Sequence, residues 1–394
     1  MKRRGLLVLP GIWSMGKGKG MPSVHNLISA IDRTWGGVIV TQDAFCEDAD
    51  YPSSELVRVP RLRFLWSSRY IDFFMGRLNY WWVSIAAFVV ALKYRRKLGF
   101  LYLNSAVPAM GLFAWLFGVP VIHRMYGTFL FPHLGSFLEK LKRYEEVLLF
   151  RMPASAYVIT DDGTRGDEVA AHYGVPSEKV HFWRNGVNDV PLPDFNWREA
   201  LGLSGDMVLF ASTCRLTSWK RVDRCIQAFL AVKNPNIRLL IAGSGEDEPK
   251  LKDMAKGDAR IIFLGHMTAD MAAKLVSDSN VYITLHDYSN VGNPLLEALR
   301  MGVPVLTCDS GDTSRVVRSG ESGVCVSAKN ESDLIAAVAQ QIELLSFDAD
   351  LRKRLAIGAL AFGREHLQTW DERVAREISM IGDLMSSVSM DARP

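Results

Sequence analysis

Residues Tyr288 to Thr307 read YSNVGNPLLEALRMGVPVLT, and each part of the stretch has a backbone preference of its own. Just before it, the run Val281–Leu285 is uncharged and rich in β-branched or long apolar residues, the composition of a parallel strand buried on both faces. Asn290, Gly292 and Asn293 form a turn, and Pro294 suits the first turn of a helix, where the N–H it lacks would have no intrahelical partner. The pattern predicts a helix from Pro294 to about Met301, stopped at Gly302, with Pro304 opening a second apolar strand, Val305–Thr307. Strand, turn and helix in this order put the turn at the carboxyl end of a parallel sheet, where open α/β sheets bind ligands. The N–H groups at such a helix start favour a phosphate. Glu297, about one turn in, either accepts hydrogen bonds from sugar hydroxyls or simply complements the helix dipole.

Other segments extend the pattern. Pro294-Leu295-Leu296-Glu297-Ala298-Leu299, followed by Gly302-Val303-Pro304-Val305, resembles the donor-site signature of the retaining GT-B glycosyltransferases of family four. Arg215-Leu216 with Lys220-Arg221, then Gly243-Ser244-Gly245, then Phe263-Leu264-Gly265, occur in that family's order and at similar spacing. The likeness runs from about Asn185 to Leu345 and, more loosely, through the first half.

The resemblance implies an α/β chain of two doubly wound, Rossmann-like domains facing a cleft. It implies transfer of a sugar from a UDP- or GDP-linked donor to a hydroxyl acceptor, with retention, no metal, and no cofactor beyond the nucleotide-sugar co-substrate. Residue by residue, it gives Arg215 and Lys220 the departing diphosphate and Glu297 the ribose. Gly243, Ser244, Asn290, Gly292, Asn293, Pro294 and Leu295 would meet phosphate or sugar, and Gly265, His266 and Met267 would hold the base, largely through backbone groups. The chain departs from the family's pattern at Tyr126, where a histidine often precedes the glycine near the acceptor, and at the usual pair of glutamates, of which the second is Glu297 but the first is replaced by Ser289. The Ser289 departure leaves open a non-catalytic nucleotide-sugar-binding subunit, and a sugar-nucleotide epimerase on the same fold is a further alternative.

With 394 residues the chain exceeds the size at which single cores stop growing, and two domains are expected. Its 48% hydrophobic and 23% charged residues are those of a globular protein, and a net charge of +3 gives no reason to expect a nucleic-acid partner. Cys46, Cys214, Cys225, Cys308 and Cys325 form no CxxC pair and have no histidine at ligand spacing, so they read as thiols of a reducing, cytoplasmic setting. The apolar start, Gly5 to Pro10, is too short for a signal peptide and reads as a first strand. No uninterrupted apolar run reaches the roughly 20 residues of a spanning helix. The nearest, Ala106–Ile122, is broken by prolines and glycines and reads as a buried helix, a turn and a strand.

Strand-like runs at Gly5–Leu9, Gly37–Thr41, Phe100–Leu103, Val119–His123, Ala156–Ile159 and Val180–Trp183 alternate with helical patterns, which predicts a parallel sheet over residues 1–190. Pro191-Leu192-Pro193-Asp194 is a linker into a second α/β domain, 191–361, and the helical stretch 362–394 resembles a tail that crosses back to the first domain. Between the first strand and its helix lies Gly16-Lys17-Gly18-Lys19-Gly20, either a donor-facing anion loop centred on Gly18 or a flexible exposed loop. Arg124, Tyr126 and Gly127, after the fourth of these strands, are acceptor-side candidates, whereas His123 reads as a core histidine. In residues 58–97, arginines interleave with Trp66, Phe73, Phe74, Tyr80, Trp81 and Trp82. Two readings stand: a helix on the surface of an anionic membrane, suited to a lipid-linked acceptor, or a core helix with solvated arginines.

Overall fold

The computed structural model describes residues 3–10, 22–42, 50–62, 69–189, 191–288 and 290–391. The chain divides into two compact units. The first comprises Met1–Asp161, Gly166–Gly186 and Trp370–Pro394; the second comprises Asp162–Arg165 and Val187–Thr369.

The first unit is built on strands β1 (Arg4–Leu9), β2 (Gly37–Thr41), β3 (Glu55–Arg58), β4 (Leu98–Asn104), β5 (Val121–Met125), β6 (Ala156–Thr160) and β7 (Val180–Trp183). They form one parallel sheet in the order β3-β2-β1-β4-β5-β6-β7. Helix Trp370–Asp391 closes this unit, with Met380 and Ile381 in the core beside Ile28 and Phe100. Phe362, where the sequence reading began the returning tail, instead packs in the second unit's core, and the chain leaves that unit only after Thr369.

The second unit holds β8 (Val208–Thr213), β9 (Ile237–Ala242), β10 (Ile261–Gly265), β11 (Val281–Thr284), β12 (Val305–Cys308) and β13 (Gly323–Val326), in the order β10-β9-β8-β11-β12-β13. Strand period two sorts the side chains. Val208 and Phe210 enter the core that includes helix Val222–Ala231, while Leu209 and Ala211 enter the core of helix Asn293–Arg300. Because both faces are covered, every residue of β8 is buried. Gly302 ends helix Asn293–Arg300 with φ 74°, which lets Val303 N donate to Ala298 O at 2.8 Å and turns the chain into β12. Both sheets reverse strand order once, at β1/β4 and at β8/β11, and such reversals open a crevice at the carboxyl ends of the strands.

Helix Arg69–Tyr94 corrects two expectations. It is longer than any span foreseen from the sequence, and its part Phe74–Tyr94 has the length and composition of a membrane-crossing segment. Val83, Ala87 and Ala91 anchor one side of it to the first unit's core and Tyr80 packs inward, whereas Phe74, Trp81 and Trp82 face outward, so these three depart from the inward-packed set of the core reading. Helix Pro108–Phe117, expected to be buried, buries only Met110 and Phe113 and exposes Leu112, Trp115, Leu116 and Phe117. An apolar composition signals that a helix avoids water, but not that its own chain covers both sides.

Candidate functional site

At the β8/β11 switch point lies a cavity of about 210 Å³. Thr213, Cys214, Arg215, Trp219 and Lys220 line it from the β8 side; Tyr282, Thr284, His286, Asn290, Gly292, Pro294 and Leu295 line it from β11 and the start of the motif helix. The structure therefore brings Arg215 and Lys220 together with the motif turn, although Lys220 and Leu295 lie far apart in the chain.

Lys220 is placed by a short 3-10 turn, Ser218–Lys220, and a left-handed Arg221 at φ 46° that starts the next helix. Its ammonium sits 4.0 Å from the centroid of the Trp219 ring and 3.2 Å from His286 Nδ1. Burial lowers the Lys220 ammonium to about 8, and the Arg215 charge adds to the effect, while Cys214 and Asp162 oppose it. Arg215 itself is exposed. Arg221 belongs elsewhere: it pairs with Asp223 at 3.0 Å, Asp287 at 3.2 Å and Glu331, and Arg224 shares Asp287 and Glu331. This network pins the loop that carries Lys220.

Two motif expectations are corrected here. Asn290 is only 1% exposed, and its amide is committed to the protein. Thr284 Oγ1 and His286 N donate to its Oδ1 at 3.0 and 3.3 Å, and its Nδ2 donates to Thr307 Oγ1 at 2.7 Å and Cys308 O at 3.1 Å. With all four hydrogen-bonding positions filled, Asn290 ties the end of β11 to β12 and shapes the cavity rather than offering its side chain to a donor. Likewise, Leu295 N donates to Gly292 O at 3.1 Å in a tightened first turn, so this amide is not presented to a phosphate. Gly292 and Pro294 remain on the cavity wall, and Asn293 is the first residue of the helix.

Glu297 lies on the far side of that turn. It lines a neighbouring cavity of about 220 Å³ with Val187, Asn188, Ala269, Asp270, Ala273 and Arg300 among its walls. Burial raises its carboxyl, and burial together with the Glu297 charge raises the Tyr282 phenol, which lines the first cavity. Glu297 thus shares its cavity with the start of the helix that follows β10. Gly265, His266 and Met267 immediately precede the helix Ala269–Ser277 that walls the Glu297 cavity; His266 is exposed and Met267 packs against the core.

The Gly243-Ser244-Gly245 turn has a structural cause. Gly243 adopts φ 134°, and a Cβ there would clash with the Cys214 carbonyl. Leu216 N donates to Ser244 O at 2.9 Å, so the turn buttresses the Arg215 loop from outside the switch-point cavity. Gly18 and Ser289 lie outside the described residues.

In the first unit Arg124 lies within β5, which runs two residues beyond the apolar run, and it is 3% exposed. Its guanidinium donates to Met125 O and, at 3.2 Å, to Val158 O, and it sits 4.2 Å from the Tyr126 ring centroid. This corrects its assignment to the acceptor side: the charge is held inside. Burial pushes the Tyr126 phenol up to about 12, and Gly127 turns with φ 91°. His123 is fully buried beside Tyr157 and is lowered to about 4 by burial, as a neutral core histidine should be.

Sequence reasoning missed His286, Trp219 and Asp162. His286 had a signal, since it lies two residues beyond a buried strand. Asp162 also lies just beyond a buried strand, where its sequence context suggests a cap or turn; it belongs to the second unit, where Val291 N donates to its carbonyl at 3.1 Å and its charge reaches Lys220. Among the described residues no group of three or more His, Cys, Asp or Glu is arranged to hold a metal ion.

Two doubly wound parallel sheets, of seven and six strands, with cations at the second sheet's switch point, define a GT-B glycosyltransferase architecture. Residues 194–359 match the family model of Glycosyl transferases group 1. An uncharacterized glycosyltransferase of Methanocaldococcus jannaschii is 26% identical over 229 residues, 55% of this chain and 58% of that relative, so the match spans little more than half of it. Sucrose-phosphate synthase from Thermosynechococcus elongatus shares the fold with a TM-score of 0.72 at 16% identity, covering 98% of this chain and 100% of that one. Anabaena HepE, solved in complex with UDP-glucose, has a TM-score of 0.66 at 16% identity over 98% and 99% of the two chains.

Proposed function

We propose that this chain transfers a sugar from a nucleotide-sugar donor to a hydroxyl acceptor, with retention of configuration and without a metal or further cofactor. The observation that carries the reading is the convergence of Lys220 and Arg215 on the start of the motif helix at the β8/β11 switch point. Breaking a sugar–phosphate bond builds negative charge on the departing diphosphate, and preorganised cations in a desolvated site oppose that charge strongly. Glu297 holds the ribose from the adjoining cavity, and the loop Gly265-His266-Met267 holds the base. The leaving phosphate itself helps deprotonate the acceptor hydroxyl. UDP is favoured over GDP, because a chain of the same fold was solved with UDP-glucose. The acceptor is a glycan or a lipid-linked glycan in bacterial polysaccharide or glycolipid assembly, reached from the cytoplasm at the inner face of the membrane.

The test is thermal stabilisation of the purified chain by UDP, GDP, ADP and TDP, followed by sugar-transfer assays with the base so found. A ligand at about a hundred times its dissociation constant adds about 2.7 kcal/mol. No shift with any nucleotide sinks the reading. Ser289, in place of the family's first glutamate, favours one second reading, a nucleotide-sugar-binding subunit without turnover. Nucleotide binding in a chain that never consumes donor, with every acceptor tried, would support it.

A further inference from the structure

The first unit exposes an apolar surface that the sugar-transfer site does not explain. On helix Arg69–Tyr94 the outward stripe is Phe74, Leu78, Trp81, Ile85 and Val89, at successive helical spacings of three or four, with no charged side chain among them. Its opposite side, through Val83, Ala87 and Ala91, is already buried against the sheet. The helix is therefore apolar on both faces, a composition that water alone does not tolerate on the outer one.

Two more helices continue the surface. Pro108–Phe117 contains no charged side chain, its indole N–H at Trp115 is its one strong hydrogen-bonding side-chain group, and Trp115 is 78% exposed. It is joined to the long helix by Ala109 N donating to Ser84 Oγ at 3.0 Å and by the Phe88–Phe113 ring contact at 5.8 Å. Helix Phe137–Lys142 exposes Phe137, Leu138 and Leu141, and Arg77 of the long helix reaches its end, donating to Lys142 O at 3.1 Å. Contiguous apolar patches of this extent mark interaction sites.

We propose that these three helices dock the chain on an anionic lipid bilayer, with the aromatic side chains at the level of the headgroups. The inference rests on the lipid-linked acceptor reading above and gives it a physical surface. Charge selects the occupant. The long helix is followed directly by the exposed run Arg95, Arg96 and Lys97, its own Lys93 pairs with Glu55 at 3.6 Å, and the acid of the third helix, Glu139, is neutralised by Lys142 and Arg143. Cations flanking exposed Trp, Phe and Leu match the boundary between anionic headgroups and acyl chains.

The experiment is flotation of the purified 394-residue chain with phosphatidylcholine vesicles, with and without about a third phosphatidylglycerol. The chain is expected to float with the anionic vesicles and to release partly in high salt. Trp115→Glu with Leu116→Glu, both exposed, should weaken vesicle binding about tenfold or more while leaving UDP-induced thermal stabilisation intact. Arg95→Gln with Arg96→Gln and Lys97→Gln should abolish the preference for phosphatidylglycerol. Failure to float with either vesicle, or unchanged flotation of the Glu double variant, overturns the proposal. So does a vesicle-inert dimer that the same variant converts to monomer by light scattering, because a second copy then covers the patch. Flotation without stabilisation by any nucleotide would leave the docking surface standing and remove the transfer reading instead.

Discussion

The Lys220 ammonium and His286 Nδ1 lie 3.2 Å apart at the carboxyl ends of β8 and β11, so an imidazole accepts the hydrogen bond of the cation assigned to the diphosphate. A neutral acceptor fixes the ammonium without cancelling its charge, as a carboxylate would. UDP bound there as proposed would raise the Lys220 pKa, because its diphosphate favours the protonated form. UDP affinity should therefore fall as pH rises past about 8, and calorimetric titration with Lys220→Met should give a flatter profile. The stability sign is the reverse. The folded value lies below the ordinary 10.5, so the unfolded chain binds more protons between about 8 and 10.5, and the ligand-free protein gains stability from this group as pH rises through that window. His286→Ala should lower turnover more than donor affinity, and His286→Gln should restore part of it.

Neutralising Arg215 and Lys220 together tests when their charge acts. If they oppose charge that develops during bond breaking, kcat falls by about a hundredfold or more with a much smaller change in donor affinity. Equal losses in steady-state rate and in UDP binding would mean that the pair only holds the ground state.

Glu297→Ala should weaken nucleotide binding at least about tenfold, or about 1.4 kcal/mol, measured by calorimetry on a variant whose melting temperature is unchanged. Burial raises the Glu297 carboxyl, so a bound ribose hydroxyl replaces water that the group has already lost in part. Full affinity in the variant would remove Glu297 from the site.

Asn290→Ala should be a stability variant first. It leaves Thr284, Thr307 and the Cys308 carbonyl short of buried partners, at a cost of about 3 kcal/mol, visible as a lower urea midpoint. A stable variant with weakened UDP binding would instead return Asn290 to the donor.

Glu377→Ala should destabilise the first unit by about 3–5 kcal/mol in urea unfolding. Glu377 is 3% exposed, accepts from Tyr102 Oη, and accepts from Arg373 Nη1 at 2.7 Å, so its loss strands a buried guanidinium. Little change in the midpoint would show that Arg373 finds other acceptors beyond the Arg184 carbonyl at 3.1 Å.

Where a segment's own chemistry chose its conformation, the sequence was readable. β9 spans Ile237–Ala242 and β2 spans Gly37–Thr41, as their apolar runs predict, and the motif helix starts where Pro294 permits. What escaped depends on partners distant in the chain. β3, Glu55–Arg58, is a half-exposed edge strand with charges at both ends, so it lacks an apolar run. Arg124 is buried because carbonyls and the Tyr126 ring receive it, and nothing local announces them. The site divides in the same way. The cations and the motif turn were legible from residue type and spacing, whereas the Lys220–His286 contact arises only when β8 and β11 become neighbours.

The return of helix Trp370–Asp391 to the first unit inverts the order of assembly relative to synthesis. The strand bearing Tyr102 is translated early, but its carboxylate partner Glu377 emerges only after the whole of Val187–Thr369 has left the ribosome. The second unit, whose strands are contiguous, can therefore complete its core while the first still waits with a polar seam open. A chain truncated at Thr369 would keep all strands of both sheets and yet leave the earlier-made half permanently unfinished.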